Sequence, residues 1–316
     1  MISFVLRRLL QAFVVLFIVT IIVFILIHLL PGGPARASLG VQATPTAIAS
    51  FNKQHGFDQG LLTQYWTWLS ELLHGALGYS FKENSTVADL LIDRLPKTAL
   101  LAGISVFIAV LIAIPLGILQ AVRRNKIVDY IATSVSFVLY STPSFWLSLI
   151  LVLVFSVNLG WLPAQAPQGS ISEVLLQPSG LILPVATITL ISVALFSRYM
   201  RSTTIDNLTQ DYVRTAKAKG AGTARILFGH VLRNAISPIL TLLGLSLPFI
   251  LSGTLITERV FNYPGMGLLF YNAAVTQDYP VLLAVTLVVA LATVLGSVFA
   301  DVCYALLDPR IRYARG

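Results

Sequence analysis

Glu258, Asp301 and Arg198 each sit near the end of a long apolar run in this 316-residue chain, and the runs hold almost nothing else that ionises. That placement bears on energy coupling. A carrier driven by protons or sodium ions uses carboxylates or histidines buried at mid-membrane, because those groups take up and release the coupling ion. Without them, a stand-alone secondary transporter is disfavoured, and uphill movement of a solute needs energy from outside the chain. The patterns that would supply it internally are missing. There is no Gly-x4-Gly-Lys-Ser/Thr phosphate loop, no His-Glu-x-x-His zinc pattern and no Gly-x-Ser-x-Gly nucleophile turn. The single cysteine, Cys303, sits in an apolar run, which excludes a disulfide framework and a thiolate metal set. The sequence therefore predicts no catalytic residues, no metal and no cofactor in this chain.

Polar residues gather instead between Asp206 and Pro238, a basic, helix-forming stretch with Gly220-Ala-Gly222 at its middle. Thr209–Lys219 is predicted to be a helix with Tyr212, Val213 and Ala216 on one face. Gly220 and Gly222 permit positive φ and a tight reversal. Thr223 is predicted to cap the next helix. Within Thr223–Ala235, helical spacing puts Ala224, Leu227, Phe228, Val231, Leu232 and Ala235 on one stripe, with Arg225, Gly229 and Arg233 opposite. Such a helix rests one face on a membrane domain and offers the other to a partner. The pattern alone equally suits an ordinary amphipathic loop.

The elements around this stretch are apolar. The chain is 56% hydrophobic and 11% charged, where a soluble domain carries about 25% charge. The expected fold is all-α and polytopic, with six transmembrane helices. Leu9–Leu30 has no Asp, Glu, Lys or Arg over 22 residues, long enough to span and too long for a signal sequence. His28, near its outer end, reads as an interfacial side chain. Residues 1–30 form the N-terminus and first span. Residues 31–97 form an extracytoplasmic insert with no net charge. Pro31, Gly32, Gly33 and Pro34 open it, and it carries a Thr44-capped helix to about Gln54 and an aromatic helix over Leu61–Leu73.

Residues 98–306 form the core. It comprises Thr98–Val122 with a kink at Pro115-Leu-Gly117, Ile131–Leu159 interrupted at Ser141-Thr-Pro143, and Leu181–Phe196 with Pro184. The basic segment 206–235 follows, then Ile236–Thr257, an outer loop over 258–280 and Val281–Leu306. Residues 307–316 are a tail. With the N-terminus inside, fifteen of the 21 basic residues face the cytoplasm, and the outer loop 160–180 has none. The net charge of +8 thus marks cytoplasmic loops, and nucleic acid is not expected as a partner. Ser141, Thr142, Ser246, Ser252 and Thr254, in the proline-kinked third and fifth spans, are pore-lining candidates or helix–helix contacts. Glu258 is a candidate for a cationic cargo terminus or a salt bridge to a neighbouring loop.

Tyr212-Val-Arg-Thr-Ala-Lys-Ala-Lys-Gly220 through His230-Val-Leu-Arg-Asn234 resembles the EAA motif of ABC importer permeases. Only Ala216 and Gly220 match its general form. Arg214, Thr215 and Arg233 match the dipeptide, oligopeptide and nickel permease branch instead. Phe4-Val-Leu-Arg-Arg8, Ser141-Thr-Pro-Ser-Phe-Trp146, Gly160-Trp-Leu-Pro163, Glu258-Arg-Val-Phe-Asn-Tyr-Pro-Gly-Met-Gly267 and Asp278-Tyr-Pro280 extend the resemblance along nearly the whole chain. It implies a type I ABC importer permease fold in a bacterial cytoplasmic membrane, with both termini inside. It implies a second homologous permease subunit as heterodimer partner. Two ATPase subunits would hold ATP and Mg, and an extracytoplasmic solute-binding protein would deliver di- or oligopeptides, or nickel or another small solute. Tyr212, Arg214, Ala216, Gly220, Gly222, Thr223, Arg225 and His230 would form the ATPase-coupling site, with Gly220 its joint. Whether Arg225 or the Ile226/His230 edge meets the ATPase stays open.

Overall fold

The computed structural model describes residues 2–29, 35, 36, 39, 40, 42–80, 82–252 and 255–307. Pro31, Gly32, Gly33, Pro34, Thr254 and the tail lie outside them, as do the side chains of Ser252, Asp301 and Cys303. Apart from one two-stranded hairpin, Tyr79–Ser80 (β1) with Ser85–Thr86 (β2), the described elements are helical. Among the described residues four helices are long and apolar enough to cross a membrane, or five if one sharply bent pair counts as a span. The chain divides into two compact units.

The first unit comprises Met1–Ala99, Gln168–Leu175 and Pro248–Leu295. It holds α1 (Ile2–Leu29), α2 (Pro45–His55) and α3 (Leu61–Leu73). Thr44 caps α2 as predicted, its Oγ1 accepting from the Ala47 amide at 3.3 Å. Of the aromatics of α3, Trp66 is exposed and Tyr65 packs inward: it meets Phe24 of α1 edge-on at 5.3 Å, and its hydroxyl reaches Thr20 at 2.9 Å. His28 is not simply interfacial, since its Nε2 reaches Oε1 of Gln64 at 2.8 Å. The hairpin leads into α4 (Val87–Val122), which starts eleven residues before the predicted span. Residues 258–280, read from sequence as a loop, contain the second half of α13 (Leu255–Val260) and all of α14 (Met266–Thr276). Val87, Leu90 and Leu91 form one core with Met266, Leu269, Ala273 and the first turns of α15 (Tyr279–Leu307).

The second unit comprises Leu100–Pro167, Leu176–Leu247 and Gly296–Gly316. Here α4 stays helical through Pro115 and Gly117, and Gly117 is a point of close packing. A Cβ on Gly117 would lie 2.6 Å from that of Met200, on α8 (Ser179–Leu208). The predicted break at Thr142-Pro143 is present. Helix α5 (Ile127–Ser141) and α6 (Ser144–Leu151), which continues through a π-helical stretch to Asn158, meet at 105°. Both the amide and the hydroxyl of Thr142 donate to the Val138 carbonyl, at 3.0 and 2.7 Å. Helix α8 continues twelve residues past the predicted span end, so Arg198 and Arg201 are helical.

Candidate functional site

The basic segment is two short helices joined by a tight cap. Helix α9 (Asp211–Ala218) buries Val213 and Ala216 and exposes Arg214, Thr215 and Lys217. It ends in a Schellman motif: Ala221 N–H donates to the Ala216 carbonyl at 3.0 Å and Gly220 N–H to that of Lys217 at 2.9 Å. Gly220 has φ +78°, as its position in that motif requires. Gly222 does not reverse the chain. It is extended at φ −69°, ψ 159°, and forms the N-cap of the next helix, so Thr223 is the first helical residue rather than the cap.

The second helix is α10 (Thr223–Ile226), which passes through a π-helical turn, Leu227–Val231, into α11 (Leu232–Ala235). The wide turn changes which residues face inward. Spacing of 3.6 predicted Ala224 and Phe228 on the buried stripe. Instead both are exposed, Phe228 at 65%, while Ile226 is buried. Leu227, Val231, Ala235 and Ile239 line up every fourth residue and are buried. They share a core with Val213, Ala216, Phe196, Met200, Ala109, Ala113 and Ile118. Ile226 therefore belongs to that core, and the outward face carries Arg225, Phe228, Gly229, His230 and Arg233. By length and composition the apolar helix runs from Thr223 to Gly244, ahead of the predicted fifth span, because the π-helical turn keeps it continuous.

Hydrogen bonds that no sequence pattern marks tie this segment to α8. Tyr212 Oη donates to Oδ1 of Asn207 at 2.7 Å, and Nδ2 of Asn207 donates to the Thr203 carbonyl at 2.8 Å. Thr203 Oγ1 donates to the Ala235 carbonyl at 2.9 Å. One residue pair was also missed by the sequence reading. Arg201 grips Asp129 of α5 with both nitrogens, Nε to Oδ1 at 2.7 Å and Nη2 to Oδ2 at 2.8 Å. A lone carboxylate in the first turn of an apolar helix was the only available signal.

Of the pore candidates, Ser141 is exposed and Thr142 half-buried at the bend. Ser246, half-buried, donates back to the Leu242 carbonyl at 2.8 Å in α12 (Ser237–Ser252). Glu258 differs from both expected roles. It is fully buried, and its oxygens accept from Thr98 Oγ1 at 2.9 Å and from the amides of Gly267 and Leu268 at 2.7 and 3.1 Å. Burial pushes its carboxyl above the ordinary range, against those hydrogen bonds. Tyr263 beside it donates to the Lys97 carbonyl at 2.6 Å, and burial together with the Glu258 charge raises its phenol. Glu258 thus holds a turn and presents no free oxygen to a cargo. Among the described residues no group of His, Cys, Asp and Glu side chains is arranged to hold a metal ion.

Two long half-matches settle the affiliation. Residues 113–313 match the family described as the binding-protein-dependent transport system inner membrane component, and residues 1–102 match its N-terminal component. The chain belongs to this family. An oligopeptide transport system permease protein of Bacillus subtilis (strain 168) is 37% identical over 99% of this chain and 100% of its own length. A glutathione transport system permease protein of Escherichia coli (strain K12) is also 37% identical, over 99% of this chain and 100% of that protein. Two solved structures share the fold. A methionine ABC transporter in an inward-facing conformation has a TM-score of 0.53 at 16% identity, covering 68% of this chain and 96% of that one. An amino acid ABC transporter has a TM-score of 0.50 at 19% identity, covering 70% and 94%. The chain is a multi-pass inner-membrane permease of the ABC importer class, in the peptide permease branch.

Proposed function

We propose that this chain is the non-catalytic, membrane-spanning half of an ATP-driven importer whose cargo is a di- or oligopeptide. A second, homologous permease subunit completes the path. Two ATPase subunits hold ATP and Mg, and an extracytoplasmic binding protein delivers the peptide. Six spans place both termini, and residues 206–235, on the cytoplasmic side, where basic residues concentrate. Residues 31–97 and 258–280 face outward. The observation that carries the reading is the 211–235 segment. It packs Val213, Ala216, Ile226, Leu227 and Val231 against its own membrane helices and turns Arg225, Phe228, His230 and Arg233 away from them. A face so divided suits a lever seated in an ATPase, and the spans contain no mid-membrane coupling carboxylate to replace it.

Cargo follows from chemistry in the binding protein more than in this chain. The names of the relatives support a peptide, and the glutathione permease, 37% identical, keeps a small tripeptide-like solute as a second reading. The test is to reconstitute the complete importer in proteoliposomes. Dipeptides, longer peptides, glutathione and nickel are then compared for stimulation of ATP hydrolysis and for uptake. Peptide-stimulated hydrolysis with matching uptake is expected. Uptake by this chain with no ATPase present overturns the reading.

A further inference from the structure

We propose that the Asp129–Arg201 pair is a positioning strut that carries movement of the 211–235 segment into the bent helix pair α5–α6. The inference rests on the coupling role proposed above. Its physical basis is directional contact. Each carboxylate oxygen of Asp129 takes two donors: Oδ1 accepts from Arg201 Nε and, at 3.3 Å, from Thr133 Oγ1, and Oδ2 accepts from Arg201 Nη2 and, at 3.0 Å, from the Asn125 amide. The Asp129 side chain is 3% exposed and that of Arg201 28%. A two-point guanidinium–carboxylate contact fixes orientation as well as distance. An apolar contact of the same volume stabilises without direction and lets helices slide.

The strut sits where such rigidity matters. Two residues beyond Arg201, Thr203 binds the Ala235 carbonyl at the end of the segment. Four residues further, Asn207 receives Tyr212 from its beginning. Helix α8 is thus held at both ends of the segment and follows its displacement. From α8 the bidentate pair links to α5, beside a Ser197–Ser136 hydroxyl contact at 3.4 Å and Arg198 over the Tyr140 ring at 5.0 Å. Helix α5 then leads to the 105° bend at Thr142-Pro143. Thr133, one turn along α5 from Asp129, accepts in turn from the buried Gln120 of α4 at 3.4 Å. Stability alone does not call for this arrangement, because a buried ion pair replaced as a whole by apolar side chains is often neutral or stabilising.

That difference makes the test. The complete importer is prepared with the double substitution D129L/R201M and, separately, with R201K. The first keeps an apolar contact and removes direction. The second keeps the charge and removes the fork. Subunit content and thermal midpoint report folding, and peptide taken up per ATP hydrolysed reports coupling. Both complexes are expected to assemble, with uptake per ATP reduced about fivefold or more, the size of a modest coupling energy. An unchanged ratio in an assembled R201K complex overturns the proposal, and so does an unchanged ratio in an assembled D129L/R201M complex. If the double substitution does not assemble, the pair is a stability element and R201K alone decides the coupling claim. A wild-type complex without ATP-dependent uptake fails the underlying reading instead.

Discussion

Oε2 of Glu258 lies 2.7 Å from the backbone nitrogen of Gly267, so a carboxylate on α13 closes the N-terminus of α14. The next two donors complete the closure. Leu268 N–H reaches the same oxygen at 3.1 Å, and Met266 N–H reaches Thr98 Oγ1 at 2.7 Å. A helix start leaves its first amides without partners, and a negative group there is favoured by the helix dipole. The opposite end is tied as well, since Ser80 donates to the Asp278 carboxylate and the Asp278 amide donates to the Ala273 carbonyl at 2.8 Å. Helix α14 is thereby a fixed piece of the first unit.

Replacing Glu258 by Ala should loosen that piece, because it strips three buried donors of their acceptor, at about 1–3 kcal/mol each. Replacing it by Gln should be milder, since the amide oxygen still accepts from Gly267 and Leu268. Amide hydrogen exchange over 266–270 separates the two: faster exchange is expected for E258A and near-native protection for E258Q. The pH dependence has a definite sign. Burial raises the carboxyl of Glu258 in the folded state, so the folded protein holds its proton more tightly than the unfolded chain. Its contribution is fully present below the ordinary value of about 4.3 and is lost as pH rises through the folded value. The thermal midpoint of wild type relative to E258Q should therefore be highest at acid pH and fall toward neutrality.

Gly265 and Gly267 leave no room for a side chain around this cap. A Cβ on Gly265 would lie 2.4 Å from Thr98 Oγ1 and 2.5 Å from Glu258 Oε2, and one on Gly267 would lie 2.6 Å from the Leu255 Cα. The last obstacle is backbone and cannot rotate aside. G267A should destabilise by about 1–3 kcal/mol through overpacking and by more than G265A. Pairing G265A with E258A should recover part of the G265A loss, because one of the two oxygens the Cβ meets is gone while Thr98 Oγ1 remains. Thermal midpoints of the three variants in detergent check the order.

The helices themselves were legible: the apolar runs, Thr44, the aromatic helix at Leu61–Leu73 and the break at Thr142-Pro143 announce themselves locally. Gly220 was legible too, because few residues other than glycine take φ +78° without cost. The Glu258 cap was not, since its partner Thr98 lies 160 residues away, and the Asp129–Arg201 pair spans 72. Phe228 failed for a different reason. A periodicity of 3.6 assumes unbroken α-helix, and a π-helical turn over Leu227–Val231 re-aims Phe228 without leaving a compositional mark.

Gly220 separates strain from space. Nothing lies within 4 Å of a Cβ built there, so substitution meets no clash, but φ +78° is unfavourable for an L side chain. Ala should cost about 1–2 kcal/mol, and Asn less, because its side chain tolerates the left-handed region. Pro should be worst, since it fixes φ near −65° and removes the amide that donates to Lys217. Uptake per ATP hydrolysed should fall in the order wild type, G220N, G220A, G220P. A G220P complex with wild-type uptake and hydrolysis would show that the hinge has no part in coupling.

The two edges of the second helix in the 211–235 segment should give opposite failures. Ile226 is 4% exposed and shares a core with Val213, Val231 and Met200, so I226D buries an unpaired carboxylate. It should lower the yield and thermal midpoint of the permease itself, before any partner is added. Arg225 lies on the exposed face with Phe228, so R225E leaves folding alone and reverses a charge that a partner would meet. Surface substitutions of this kind stay within about 0.5 kcal/mol of native stability. The R225E permease should therefore purify normally and lose ATPase subunits on size exclusion, with greater loss at low salt, where like-charge repulsion is least screened. Co-purification is the deciding measurement. Full retention of both ATPase subunits by R225E, together with normal folding of I226D, would exchange the roles of the two edges and place the docking surface on Ile226.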